Sequence, residues 1–353
     1  MILDIHATSS IPPSPRTTAP GNVRYIRGGV ARNVAECMAK LGTRPYIISA
    51  LGTDMAGTLL LQHWNSEGLL TEGIRIHHSI QTPVVCNIFD THGELSSAVA
   101  SVEAIENFLD LEWIQHCQHK IHCAPIMMVD ANLNPHALEA CCAAASKFDV
   151  PVWFEPVSVS KSKRISSVFQ HVTIVSPNED EVISMANRLS GGNLFTHFGR
   201  KNCETGLSIS LCKEAALILL EKGIKIVIVT LGANGILVCA KGSDYMKFKL
   251  PRIREGGAFS DAVSSSFPST LPFLKKENAS DVVVAHFPAL PTCVLKLTGA
   301  GDCFVGGALA SLFHGLNIMQ SAAIGVAVAK AAVQADTNVP SQLNLATIIG
   351  IIT

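Results

Sequence analysis

The stretch Leu297-Thr-Gly-Ala-Gly-Asp-Cys-Phe304 decides how this chain is read. Gly299, Ala300 and Gly301 carry no large side chain, so their backbone N–H groups can approach a ligand closely. An apolar helical pattern follows at once, and Cys303 to Ala329 contains no Asp, Glu, Lys or Arg. A helix opening here aims its first N–H groups and the positive end of its dipole at an anion. Asp302, the single acid beside that anion hole, stands where it can take a proton from a hydroxyl. Oxyanion donors plus a base are the parts of a phosphoryl transfer. The plainer alternative is a loop-to-helix junction capped by an acid. A dinucleotide fingerprint fits worse, because Phe304 stands where a third glycine is needed.

Composition narrows the function classes. The 353 residues are 48% hydrophobic and 16% charged, enough for one large α/β domain. A formal net charge of -1 gives no electrostatic footprint for nucleic acid or an anionic membrane. The eleven cysteines are odd in number and show no paired Cys-x-x-Cys spacing, which predicts reduced, buried thiols. Residues 1–20 carry Ser, Thr and Pro rather than an apolar signal, so the expected compartment is the cytoplasm. The C-terminal Ile-Ile-Thr is not a peroxisomal tripeptide, although a peroxisomal or other organellar address ahead of Met1 remains the alternative. The uncharged stretch 303–329 is long enough to span a bilayer. Gly306, Gly307, His314, Gly315, Asn317 and Gln320 interrupt it, and His314-Gly-Leu-Asn317 reads as a turn between two buried helices.

Along the chain, apolar runs at 45–51, 126–130, 150–155, 172–175, 225–231 and 235–240 alternate with helix-period segments. That pattern predicts a mostly parallel sheet covered on both faces, with ligands at the carboxyl ends of its strands. Asp130, Asn132, Glu155, Asn178–Glu181 and Thr230–Gly235 fall on that rim. Short strand patterns around 5–30 and 82–95, the second with a His92-Gly93 turn, predict a small projecting β-sheet. Gly28-Gly29 opens a helix to about Leu41, and Asn33 on it can both donate and accept at a diol. Arg32 reads equally as a solvated first-turn charge. Asn178 and Glu181 have the spacing of a capping box at a helix start. A hairpin turn explains Asn234-Gly235 as well as a ligand contact does. Arg252–Lys276 mixes Ser, Pro, Gly and charge, which predicts a surface insertion within 252–292, with a strand expected to resume at Asp281–Val284.

Taken together, Leu297–Phe304, Gly28-Gly-Val-Ala-Arg-Asn33, Asn178–Glu181 and Thr230–Gly235 resemble the motifs of the PfkB family of carbohydrate and nucleoside kinases, in the family's order. The wording of Gly28–Glu36 and Leu51–Gly57 is most similar to its pseudouridine kinases. The resemblance implies a ribokinase-like three-layer α/β/α fold in a single domain, with a small β-sheet lid that excludes water. It implies ATP and Mg²⁺ as cofactors and transfer of a phosphoryl group to the 5′-hydroxyl of a ribosyl substrate. Asp302 becomes the base, with Gly299, Ala300 and Gly301 as the anion hole. Asp4, Gly29 and Asn33 bind substrate. Asn178, Thr230, Gly232, Gly235 and Asn338 line the nucleotide, and Glu181 serves the metal. Another sugar or nucleoside kinase activity, or a catalytically impaired binding protein, are the alternatives. A homodimer paired through the lid is also implied.

Two departures stand out. The family's leading acid is replaced by Lys296, which leaves a monovalent-cation site open. Asp4 matches a substrate acid, but the family's strand ahead of it is expected to be missing from Met1-Ile-Leu-Asp4.

Overall fold

Ile226-Val-Ile-Val-Thr230 is a β-branched run, the residue class that packs best on a pleated sheet. A computed structural model describes residues 1–12, 16–92, 95–195, 205–251, 253, 258–266, 275–276 and 281–352. Its strands, numbered along the chain, are β1 Ile2–Ser9, β2 Gly21–Gly28, β3 Ser49–Leu51, β4 Ile74–Ile76, β5 Val84–Phe89, β6 Leu95–Ser101, β7 Met127–Asp130, β8 Val152–Glu155, β9 Ile174–Val175, β10 Ile226–Thr230, β11 Ile236–Lys241, β12 Lys275–Lys276 and β13 Val282–Phe287. The central sheet has the order β12-β13-β11-β10-β9-β8-β7. It is parallel from β7 to β10 and antiparallel from β10 onward.

Alternate residues of β10 enter different cores, as a strand buried on both faces requires. Val227 and Val229 pack with helices Pro135–Lys147, Glu179–Ser190 and Thr205–Glu221. Ile226 and Ile228 pack on the other face with Val34, Phe304, Leu309 and Ala322, from helices Val30–Lys40, Ala300–Phe313 and Ile318–Val333. These are the three layers expected.

The stretch 252–292, expected as a surface insertion, gives up Val282–Phe287 to the sheet. This strand pairs with β11 along its length and is buried over its first four residues, because Val-Val-Val-Ala continues the antiparallel meander. Most of 254–280, like Gly93 and Glu94 of the expected lid turn, lies outside the described residues. The apolar stretch 303–329 falls in the two core helices, separated at His314–Asn317, with Asn317 and Gln320 forming a capping box. Among the described residues no helix is long and apolar enough to cross a membrane. None of the described cysteines forms a disulfide, and Cys123 and Cys293 are exposed rather than buried as expected.

A second sheet of order β2-β1-β5-β6 forms the lid element. Its register puts Asp4, Ile26, Val85 and Ala100 in one cross-strand row and Ile5, Tyr25, Cys86 and Val99 in the next. Adjacent rows point to opposite faces, so the lid presents Asp4 on one side and an apolar row on the other.

Arg32 anchors helix Val30–Lys40 to the end of this lid. It is buried rather than solvated, contrary to one of its two sequence readings. Its Nε donates to the Gly28 carbonyl at 3.0 Å and Nη2 to the Arg27 carbonyl at 2.8 Å, while Nη1 pairs with Glu36. His63 approaches the same Glu36 carboxylate at 3.2 Å. A buried carboxylate is tolerated when it is paired and hydrogen-bonded, and breaking such a pair from one side is far worse than removing both members. Arg32→Met is therefore expected to lower the unfolding free energy by about 3–5 kcal/mol, and Arg32→Met/Glu36→Leu to recover most of that loss in denaturant titrations. Equal losses in the two variants would show that the bonds to the Gly28 and Arg27 carbonyls matter more than the ion pair.

Candidate active site

Gly299 has φ 88°, and a Cβ there would lie 2.5 Å from the Asn338 carbonyl oxygen. Only glycine meets both conditions. The turn delivers the chain into helix Ala300–Phe313, whose N-terminus has no side-chain cap. At Gly301 a Cβ would meet nothing within 4 Å, so the backbone faces open space. An uncapped helix start beside open space suits an anion. Ala300 differs from the expected three-donor hole: its N–H donates to the Leu297 carbonyl at 3.2 Å and closes the turn.

Asp302 lies in the first turn of this helix. Asn33 Nδ2 donates to its Oδ2 at 2.6 Å, joining residues 269 positions apart. Asn33 is itself buried, and Arg32 donates to its Oδ1, which fixes the amide with its nitrogen toward Asp302. Burial pushes the Asp302 carboxyl up to about 7 from 3.8; the Asn33 bond opposes this, Asp130 adds to it, Arg32 opposes it and Asp4 adds to it.

A cavity of about 180 Å³ is lined by Asp302, Gly299, Gly301, Thr230, Asn178 and Glu181 together with Glu155 and Ser176. Six of the residues singled out from the sequence thus share one wall. Asn178 and Glu181 form a true capping box: Asn178 Oδ1 accepts the Glu181 N–H and Glu181 Oε2 accepts the Asn178 N–H, each at 2.9 Å. Burial raises the Glu181 pKa, with the Asn178 bond opposing it and Asp180 adding to it. The Thr230 N–H donates to the Pro177 carbonyl at 2.9 Å, which holds β10 against the start of this helix. Gly232 is exposed at φ 56°, with open space above it. Gly235 instead packs against the backbone of Phe287–Ala289, where a Cβ would come within 2.0 Å of the Phe287 oxygen.

At the lid end, the Asp4 carboxylate lies over Gly28, where a Cβ would come within 2.1 Å of Oδ2. Gly29 caps the Val30–Lys40 helix at φ 99° and presses on the Met1–Ile2 backbone. Asn338, expected among the nucleotide contacts, is buried at this end instead. Its Oδ1 accepts from Lys296 Nζ at 2.6 Å and its Nδ2 donates to the Arg27 carbonyl at 3.1 Å. Both ends of its amide are occupied.

Sequence reading assigned Arg32 and Lys296 no role in the site and placed Glu155 only on the ligand-binding rim. Arg32 was legible only as half of an i,i+4 pair with Glu36 inside an apolar helix face. Glu155 ends β8 and accepts from Ser176 Oγ at 2.5 Å, which in turn accepts from Trp153 Nε1 at 2.7 Å. Burial raises the Glu155 pKa well above its ordinary value; Ser176 opposes this, and Glu181, Asp302 and Asp130 add to it. Lys296 carried a signal only as a departure from a motif.

Comparisons with known proteins bear on the family and the fold. The model of the "pfkB family carbohydrate kinase" matches residues 1–253 and 278–341. The pseudouridine kinase of Arabidopsis thaliana is 48% identical over 99% of this chain and 93% of its own length. The pseudouridine kinase of Escherichia coli is 29% identical over 49% of this chain and 53% of its own. Among solved structures, Arabidopsis thaliana ribokinase complexed with ribose and ATP superposes with a TM-score of 0.72 at 18% identity, covering 99% of this chain and 96% of that one. With a matching model over most of its length and a relative near half-identical across nearly all of it, the chain belongs to the pfkB family of carbohydrate kinases.

Proposed function

We propose that this chain transfers the γ-phosphoryl group of ATP to the 5′-hydroxyl of a ribosyl compound, with pseudouridine as the first substrate. The observation that carries the reading is the Asn33–Asp302 contact: a carboxylate held at 2.6 Å, beside an uncapped helix start, on the wall of a polar cavity. What favours pseudouridine within the class is the 48% identity to the Arabidopsis thaliana protein of that name.

In this reading Asp302 accepts the 5′-hydroxyl proton as that oxygen bonds to the γ-phosphorus and the bond to the β,γ-bridging oxygen breaks, releasing ADP. Gly299 lets the turn close, and N–H groups at the Gly301 end of the helix face the charge on the transferred group. Ala300 supports the turn through its bond to Leu297. Asp4 and Asn33 orient the ribose hydroxyls, with Gly29 setting the approach of the helix. Thr230 and Gly232 border the nucleotide, and Gly235 holds their turn against β13. The donor set suits Mg²⁺: Glu155 and Glu181 are hard oxygen ligands, mutually repelling and desolvated, around space for water. When bound, Mg²⁺ neutralises phosphate oxygens. Asn178 fixes the Glu181 carboxylate and leaves its second oxygen available. The apolar outer row of the lid, with Val23, Tyr25, Ile88 and Val99 exposed, offers a face on which two copies can pair.

A phosphate-transfer panel of pseudouridine, uridine, adenosine and ribose with Mg-ATP is expected to give turnover chiefly on pseudouridine. Binding of one of these compounds without turnover would instead mark a binding protein. Asp302→Asn keeps a carbonyl acceptor for Asn33 but removes the base, and kcat is expected to fall by about 10²–10⁴-fold. The ionised form is the proton acceptor, so wild-type kcat/KM is expected to decline as pH drops below about 7. The same raised pKa gives a stability effect of opposite direction. Protonated Asp302 is favoured in the fold, and that stabilisation is lost as pH rises through about 7. Asp302→Asn should therefore melt above wild type at pH 8, by a margin that shrinks toward pH 5. A variant with wild-type turnover, or an acid limb unchanged by the substitution, would remove Asp302 from the role of base.

A further inference from the structure

Helix Gln118–Cys123, which leads toward β7, carries a cluster of its own. None of its residues lines the cavity around Asp302. His119, His122 and Cys123 stand at i, i+3 and i+4, a spacing that brings side chains together on one helix surface. All three are exposed, and their ligand atoms lie within 4.8 Å of one another, the only such trio among the described residues. Cys123 Sγ is 3.8 Å from His119 Nδ1 and 3.9 Å from Nε2. In a tetrahedral zinc centre, with Zn–S about 2.3 Å and Zn–N about 2.0–2.1 Å, sulfur and nitrogen stand about 3.6 Å apart. The Cys123–His119 pair is therefore close to ligand spacing. His122 stacks on Phe148 with ring centroids 3.8 Å apart at 26°, which holds its ring against the end of helix Pro135–Lys147. Lys120, the cation of the same helix, has its Nζ 5.1 Å from the centre of the Tyr46 ring.

We infer that His119, His122 and Cys123 form a surface Zn²⁺ site with three protein ligands and a fourth position for water. Two imidazoles and a thiolate are borderline and soft donors, and no carboxylate stands among them. Such a set selects Zn²⁺ against Mg²⁺, which demands oxygen ligands in octahedral geometry. The Glu155–Glu181 wall of the other cavity has the opposite character, so the two sites divide metals by hardness. On binding, the Cys123 thiol gives its proton to solvent and the sulfur bonds to zinc as thiolate, while both imidazoles bind neutral. The inference is independent of the kinase reading, because no ligand belongs to the phosphate cavity. Bound Zn²⁺ would clip the last turn of helix Gln118–Cys123, which packs on helix Pro135–Lys147, and so stabilise the fold by mass action.

The test titrates the full chain, kept reduced by a phosphine, with Co²⁺ in the presence of excess Mg²⁺ and then with Zn²⁺. Co²⁺ is expected to bind once per chain and to give a thiolate charge-transfer band in the near ultraviolet together with tetrahedral bands in the visible. Zn²⁺ is expected to bleach both. Cys123→Ser should lose the charge-transfer band, whereas Cys293→Ser, which alters the other exposed cysteine, should keep it. His119→Ala/His122→Ala should weaken Zn²⁺ binding by more than the about 10-fold that loss of an outer-shell partner costs. Zn²⁺ should raise the melting temperature of wild type and leave that of Cys123→Ser unchanged, while the two proteins melt together in chelator. Absence of Co²⁺ binding, a charge-transfer band that survives in Cys123→Ser, or equal Zn²⁺ affinity in wild type and the double histidine variant would overturn the inference.

Discussion

The hydrogen bond from Asn33 to Asp302 is the constraint on which the rest depends. It joins the first turn of the N-terminal helix to the first turn of a helix near the other end of the chain. Each partner is held from behind. Arg32 fixes the Asn33 amide and is itself bound to the carbonyls that end β2. Asp302 is fixed by a glycine turn that admits no Cβ. The lid and the phosphate side of the cavity are therefore aligned through side chains inside the core, where close packing transmits small displacements.

That arrangement carries an electrostatic tension. Glu155, Glu181 and Asp302 surround one small cavity, and Asp4 and Asp130 lie near enough to influence Asp302. Each of the three cavity acids has its pKa raised, chiefly by burial. A hydrophobic core has no reason to gather such groups, since unpaired buried charge is unfavourable to folding. Their concentration makes sense where a polyanion and a divalent cation are expected to compensate one another, and perturbed acids in a cleft are the usual mark of such a site.

Much of this was legible in sequence because glycine and capping chemistry are local. Gly299 and Gly301 announce close backbone approach, and the Asn178–Glu181 spacing announces a helix start. What remained hidden was the partner of each group. Asn338 reads as a turn residue until its amide is seen between Lys296 and Arg27. Gly235 reads as a ligand-facing turn until β13 lies against it; a strand is legible at Asp281–Val284, but its pairing with β11 is not. Arg32 is ambiguous from its position alone, because burial of an arginine depends on what packs over it. Tertiary partners, rather than local propensity, separated these residues from their neighbours.

The lid completes the logic. Strand β1 alternates Leu3, Ile5 and Ala7 with Asp4 and His6, so a single pleat gives it an apolar face and a polar one. A one-residue slip would exchange them, turning Asp4 outward and Ile5 inward. The bond from Asn338 to the Arg27 carbonyl opposes that slip, because it fixes β2 beside Gly28, with which β1 pairs in register. A residue from the far end of the chain thus supports the pairing of its first two strands, and its amide is held in turn by Lys296.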